Sequence, residues 1–244
     1  MRRAREKGGF SVWLGIVVCY PLTRLLARCR FEGLEHIPKT GAVLVVCNHI
    51  SYLDAIYTAV FVHRRGRIPH FLAKAALWQV PMLRGVLHGT GQIPVYRGHA
   101  DAGTSLREAE QALRAGQAVL IYPEGTITRD PAFWPMVART GMARLALGGV
   151  VPVVPVVHWG THRVYDHYRR RFRPLPRAEV VVRAGAAVDL SGFRDRPVDR
   201  QLLHEVTEWV MGEVRDLLAE VRGEQAPAGF FIPSGPAQDG GTEL

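Results

Sequence analysis

Gly41-Ala42-Val43-Leu44-Val45-Val46-Cys47-Asn48-His49-Ile50-Ser51-Tyr52-Leu53-Asp54 is the stretch on which the reading of the chain turns. Residues 41–47 are apolar and rich in Val and Leu, the pattern of a buried strand. Residues 55–62 continue as an apolar helical run, so the polar residues between them lie at a strand-to-helix junction. Five helical positions turn through about 500°, so His49 and Asp54 would not share a face inside one helix. His49 is therefore expected ahead of the helix, with Ser51 as the N-cap and Asp54 folding back from the first turn. An aspartate so placed fixes the imidazole tautomer, stabilises its protonated form and leaves the other ring nitrogen to take a substrate proton. That is a general base working without a protein nucleophile. The plain alternative reads Ser51-x-x-Asp54 as a capping box and His49 as the end of a strand.

Two more segments carry polar groups at strand ends. Gly91 to Arg97 reads as a strand finishing in a cation, and Ala118 to Tyr122 leads into Pro123-Glu124-Gly125-Thr126. Ligands of open α/β sheets bind outside the carboxyl ends of the strands, where three such clusters can converge. Strands are predicted near 41–47, 68–73, 91–96, 117–122, 151–157 and 179–184. Helices are predicted near 51–63, 102–115, 137–147 and 200–222. In the second of these, Leu106, Ala109 and Leu113 repeat on one face and Gly116 supplies the stop. The alternation predicts an α/β fold, a mixed and largely parallel sheet flanked by helices. Pro152 and Pro155 favour an edge position or a bulge for the strand that contains them.

With these residues in view, the chain resembles the PlsC-like glycerolipid acyltransferases. The family's N-H-x-x-x-x-D block matches Asn48 to Asp54, its G-x-[IV]-x-[IV]-x-R block Gly91 to Arg97, and its [FY]-P-E-G-T block Tyr122 to Thr126. The late [VI]-P-[VI]-x-P-[VI] block matches Val151 to Val156, and the four occur in the family's order over about residues 30 to 190. One departure is clear: Ile127 and Thr128 stand where the family commonly has an arginine and a serine, and Arg129 comes two residues late.

The resemblance implies acyl transfer from acyl-CoA or an acyl-carrier protein to the free hydroxyl of a lysophospholipid, 1-acyl-sn-glycerol 3-phosphate above all. It implies His49 and Asp54 as catalytic groups and no cofactor beyond the acyl co-substrate. It places Lys74, in Phe71-Leu72-Ala73-Lys74, and Arg97 at the acceptor's phosphate, and it gives Glu124, Gly125 and Thr126 to acceptor binding. The same chemistry on another lysolipid or a glycolipid acceptor is the nearest rival.

The composition suits a lipid-surface enzyme. The formal charge is +9, and Arg2, Arg3, Arg5 and Lys7 open the chain ahead of an apolar run from Phe10 to Ala27. Pro21 and Arg24 interrupt that run, which favours an interfacial or re-entrant anchor over a full span. Anionic lipid attracts each nearby cation by about 1 kcal/mol, so a peripheral or monotopic protein on the cytoplasmic face of the membrane is expected.

The expected organisation is a basic membrane-associating segment over 1–30, an acyltransferase domain over 31–222 and a disordered tail over 223–244. Cys19, Cys29 and Cys47 show no metal spacing, and Cys47 reads as small core filler. Histidines 158, 162 and 167 lack a metal motif and read as solvated loop residues. No Gly-x-Ser-x-Gly appears for a serine hydrolase, and no nucleic-acid-binding signature accompanies the arginines.

Overall fold

The computed structural model describes residues 8–96 and 102–234. Helix α1 (Phe10–Leu26) runs without a linker into β1 (Ala27–Glu32). There follow β2 (Val43–Cys47), α2 (Asp54–Arg64), β3 (Pro69–Lys74), α3 (Pro81–Gly89), β4 (Ile93–Val95), α4 (Ala102–Arg114) and β5 (Ala118–Ile121). Next come α5 (Gly141–Leu147), β6 (Val153–Trp159), the short α6 (Thr161–Val164), and a small hairpin of β7 (Tyr165–Asp166) and β8 (Arg171–Phe172). The described chain closes with β9 (Ala178–Ala184), the short α7 (Ser191–Arg194) and α8 (Arg200–Arg222).

Seven strands form one sheet in the order β1-β9-β6-β2-β5-β3-β4. β2, β3, β4, β5 and β6 are mutually parallel. β9 runs antiparallel to β6, and β1 runs parallel to β9. The sheet is therefore mixed and largely parallel, as the alternation of strands and helices requires.

β2 lies at the centre with every residue buried, because both its faces are covered. Leu44 and Val46 join the core under α4, α5 and α8, while Val43, Val45 and Cys47 join the opposite core with Tyr57 and Phe61 of α2. Each such side chain contributes about 1.5–3 kcal/mol on leaving water. α8 is held at both ends: the Asp199 carboxylate accepts the Leu202 amide at 2.8 Å, and Gly223 closes the helix at φ 65°. At the amino edge of the sheet the guanidinium of fully buried Arg67 donates to the carbonyls of Pro38, Gly41 and Gly116 at 2.8–2.9 Å. That edge is occupied by structure, so chemistry is left to the other one.

Several sequence expectations change. β6 is an interior strand between β9 and β2, not an edge. Pro155 is tolerated because alternate residues of β6 turn their backbone groups towards β2, beginning with the Pro152 carbonyl that accepts the Leu44 amide. Pro155 faces the other way, where β9 has just ended and its carbonyl accepts the Gly185 amide at 2.9 Å. No ladder amide is needed there. The helix expected over 137–147 begins only at Gly141, because the Val137 and Arg139 amides donate to Phe231 and Pro123 instead. The start of the expected disordered tail is ordered: residues 223–234 fold back, Phe230 packs on the core and Phe231 bridges to Met136. β1, assigned mostly to the N-terminal segment, is part of the sheet.

Candidate active site

Parallel strands bring the ends of β2, β5, β6 and β3 to one edge. β2 sits between β6 and β5, so the chain leaving it at Asn48 is flanked by groups from both neighbours. From the β6 side, the Asn48 side chain exchanges two hydrogen bonds with the backbone of His158, at 2.8 and 3.2 Å. From the β5 side, Glu124 accepts the His49 amide at 3.0 Å, and the Thr128 amide donates to the His49 carbonyl at 2.7 Å. The backbone of the histidine is thus held on both flanks.

His49 and Asp54 meet. Nδ1 of His49 lies 2.9 Å from Oδ2 of Asp54, whose side chain is completely buried. The same oxygen accepts the amides of Ile50 at 2.7 Å and Ser51 at 2.8 Å, and Oδ1 accepts the Thr161 hydroxyl. Burial alone pushes the Asp54 carboxyl upward, but the hydrogen bond and charge from His49, the His158 ring and the Thr161 hydroxyl outweigh it and lower it. An ionised carboxylate only accepts, so Nδ1 carries the proton and Nε2 is left with its lone pair. Nε2 has no hydrogen-bond partner among the described residues, and the His49 side chain keeps 15% of its surface exposed.

The capping expectation is corrected by the same geometry. α2 begins at Asp54 with Leu53 at the cap position, and Ser51 is not the N-cap. Its hydroxyl instead donates to the Tyr165 carbonyl at 2.9 Å and accepts the Leu53 amide. Asp54 has already taken the amides of residues 50 and 51, so the turn before the helix winds around the carboxylate rather than around the serine.

A second layer, which the sequence reading missed, supports the ring. Tyr122 stacks on His49 with centroids 4.4 Å apart. Its hydroxyl meets Thr58 Oγ1 at 3.1 Å, and the Thr58 hydroxyl also contacts Nε2 of His158 and the Asp54 carbonyl. His158 is fully buried and burial holds its pKa down, so the expectation of a solvated loop residue is overturned. His162 is likewise largely withdrawn from water, stacked on Phe133 and tilted against Trp159, its pKa lowered by burial to about 4. His167 is half-buried against Tyr52. Motifs of five to seven residues do not carry such contacts; only a histidine inside the apolar run Val153–Trp159 hinted at one.

Glu124 is 4% exposed, and its two oxygens accept the amides of His49 and Met136. It ties two backbone segments together beside the histidine. Burial pushes its carboxyl up to about 8, the Asp54 charge adds to this, and the amides of Met136 and His49 oppose it. Between about pH 4.5 and 8 the folded protein thus holds a proton that the unfolded chain has released, so this group's stabilisation fades as pH rises through that window. Glu124→Gln is expected to flatten that slope, worth a few kcal/mol across the window, in urea unfolding at pH 5 and pH 8. An unchanged slope would contradict a proton held at Glu124.

Gly125 takes φ 73°, a left-handed turn open to glycine, and Thr126 follows half-buried. Lys74 ends β3 with its side chain exposed, at the same edge as His49. Arg97 lies outside the described residues. Cys47 is buried and its thiol is pushed well above 9 by burial, which suits core filler and not a nucleophile.

A family model described as Acyltransferase matches residues 28–159, more than half of the chain and a span that contains His49, Asp54, Lys74, Arg97 and Glu124. The chain belongs to the Acyltransferase family. Among curated relatives, a chloroplastic 1-acyl-sn-glycerol-3-phosphate acyltransferase, BAT2, from Brassica napus is 29% identical over 63% of this chain and 42% of its own. A 1-acyl-sn-glycerol-3-phosphate acyltransferase from Borreliella burgdorferi is 28% identical over 60% of this chain and 58% of its own. The chain therefore spans about half the length of the curated relatives it matches. The crystal structure of the 1-acyl-sn-glycerophosphate acyltransferase PlsC from Thermotoga maritima superimposes with a TM-score of 0.69 at 24% identity, over 89% of this chain and 80% of that one. At that identity the likeness speaks for the fold.

Proposed function

We propose that this protein moves a fatty acyl group from acyl-CoA or acyl-carrier protein to the free hydroxyl of 1-acyl-sn-glycerol 3-phosphate. One observation carries the reading: an imidazole whose Nδ1 is pinned by a buried aspartate, with Nε2 unengaged at the carboxyl edge of the sheet. Nε2 takes the proton of the acceptor hydroxyl as its oxygen bonds to the thioester carbonyl carbon. The tetrahedral intermediate then collapses with cleavage of the carbon–sulfur bond, and the imidazolium returns the proton to the departing thiolate. The products are a diacylglycerol phosphate and a free thiol. Asp54 favours the imidazolium while it lasts, and Glu124 and Thr128 keep the histidine backbone from shifting. The acceptor is supported by the relatives from Brassica napus and Borreliella burgdorferi, both 1-acyl-sn-glycerol-3-phosphate acyltransferases.

The membrane reading rests on surface chemistry. Phe10, Trp13, Val17, Val18 and Leu25 of α1 are exposed, as are Met82 and Leu83 of the neighbouring α3. No helix among the described residues is long and apolar enough to cross a membrane. An interfacial seat on the cytoplasmic face of an anionic bilayer matches such a surface and the +9 charge.

The test is thiol release from oleoyl-CoA on adding 1-acylglycerol 3-phosphate, with monoacylglycerol as the control acceptor. Release that depends on the phosphorylated acceptor supports the reading. Release without any acceptor would make the protein a thioesterase and overturn it.

A further inference from the structure

Residues 128–137 connect the edge that carries His49 to the last described part of the chain. They include Pro131 and Pro135 and belong to no helix and no strand of the main sheet. On their inner side the Thr128 amide donates to the His49 carbonyl at 2.7 Å. The Met136 amide donates to Oε2 of Glu124 at 3.1 Å, while Oε1 of the same carboxyl accepts the His49 amide. The Thr128 hydroxyl donates to the Trp134 carbonyl at 2.7 Å, which closes the segment on itself. Successive amides of an extended backbone point to opposite sides, and the next one, of Val137, donates outward to the Phe231 carbonyl at 3.0 Å. Met136, Val137 and the Glu124 carboxyl are all that lies between Phe231 and the backbone of His49.

The outer side has a second tie. Arg222, the last residue of α8, holds its guanidinium 4.0 Å from the ring centre of Trp134 in the segment and 4.2 Å from that of Trp159 at the end of β6. Its Nη1 donates to the Ala132 carbonyl at 2.8 Å, and Nη2 meets the Glu224 carboxylate. The side chain is 6% exposed, and Nε has no hydrogen-bond partner among the described residues. A guanidinium taken out of water with one N–H unpaired adds little to stability. What it supplies is direction: a planar cation against two indoles, bonded to a loop carbonyl, fixes that loop where an apolar side chain would only fill space. Further on, Phe230 packs on the core with the Arg215 guanidinium 5.5 Å over its ring. The C-terminal segment is thus fastened at both ends.

We propose that residues 222–231 brace the active site, with Arg222 a positioning residue for acyl transfer that acts on His49 through residues 132–137 and Glu124. The proposal rests on the reading of His49 as the base. Reacting groups must be held within about 0.5 Å of their productive places, and a shift of about 1 Å that originates far from the chemistry can cost about 10²-fold in rate. A brace on the histidine backbone acts on that geometry and not on acceptor affinity, so it shows in kcat and not in KM.

The experiment compares the full chain as wild type, Arg222→Leu, Arg222→Lys and Phe230→Ala, the last of which loosens the segment from its far end. Thiol release from oleoyl-CoA with 1-acylglycerol 3-phosphate gives kcat per folded molecule and the acceptor KM, and hydrogen exchange followed by NMR gives the protection of single amides. Arg222→Leu is expected to lower kcat by about fivefold or more with acceptor KM within about twofold of wild type. Exchange at the His49 and Met136 amides should be about tenfold faster, with no change along Val43–Cys47. Arg222→Lys keeps the charge and a donor but not the flat fork and should fall between, and Phe230→Ala should show the same pattern. Should Arg222→Leu fail to fold, these two variants carry the comparison. A kcat that stays at the wild-type value, a change confined to acceptor KM, or exchange that is unchanged at His49 or faster throughout Val43–Cys47 would overturn the proposal. A wild type that releases no thiol defeats the acyl-transfer reading instead. Exchange then decides the brace by itself: faster at His49 and Met136 in the variants upholds it, and unchanged overturns it.

Discussion

Replacing His49 by alanine is expected to lower kcat by about 10² to 10⁴-fold, the usual contribution of a positioned acid–base group. Among the described residues the side chain makes one hydrogen bond, to Asp54, and rests on the Tyr122 ring, so its removal should leave folding close to wild type. Thiol release and a urea melt on the same preparation would check both halves. A variant within a few-fold of wild-type kcat would mean that the proton leaves by another route. A variant that is unfolded would make the loss uninformative, and the ring's few contacts give no reason to expect it.

Asp54 is expected to give the second large effect, and two substitutions divide its work. Asp54→Asn can still accept the Ile50 and Ser51 amides and the Nδ1 proton with its carbonyl oxygen, while its amide faces the Thr161 hydroxyl. What it lacks is the negative charge that favours the imidazolium, so kcat should fall by about 10²-fold or more with a modest change in stability. Asp54→Ala leaves the Ile50 and Ser51 amides buried and unpaired, at about 1–3 kcal/mol each, and should lose stability as well as activity. Equal kcat for Asp54→Asn and wild type would show that the carboxylate serves the fold alone. The wild type should also lose stability as pH falls below about 3.8, because the Asp54 carboxyl is lowered on folding; the asparagine variant should lose less there.

The line between what was legible in the residues and what was not follows the range of the interactions. Val43–Cys47 and Ala118–Ile121 are apolar on both faces of the sheet, and their runs of Val, Ile and Leu show it directly. The meeting of His49 with Asp54 follows from five residues of spacing at a strand end. By contrast β1 alternates Arg28, Arg30 and Glu32 with smaller apolar residues and was read as the tail of an anchor. α3 begins with Pro81 and contains Gly85 and Gly89, which masks its helical period. Thr58, Tyr122 and His158 are separated by 64 and 100 residues in the contacts they make, and no local pattern contains them. Glu124 read as a ligand-facing carboxylate because its neighbours fit a motif, whereas its partners are backbone amides of other segments.

The pairing of β1 with β9 sets a condition on how the molecule is made. Ala27 is opposite Ala178 and Glu32 opposite Arg183, so the first strand of the described chain waits for the last. Loop closure over about 150 residues is slow compared with local helix formation. The five parallel strands that shape the catalytic edge need neither β1 nor α1 to pair with one another. Refolding should therefore show the buried core around β2 gaining protection from hydrogen exchange before the β1 amides do. Until β1 docks, β9 offers an open edge to other chains, and a refolding protein stalled at that point is at risk of association through it.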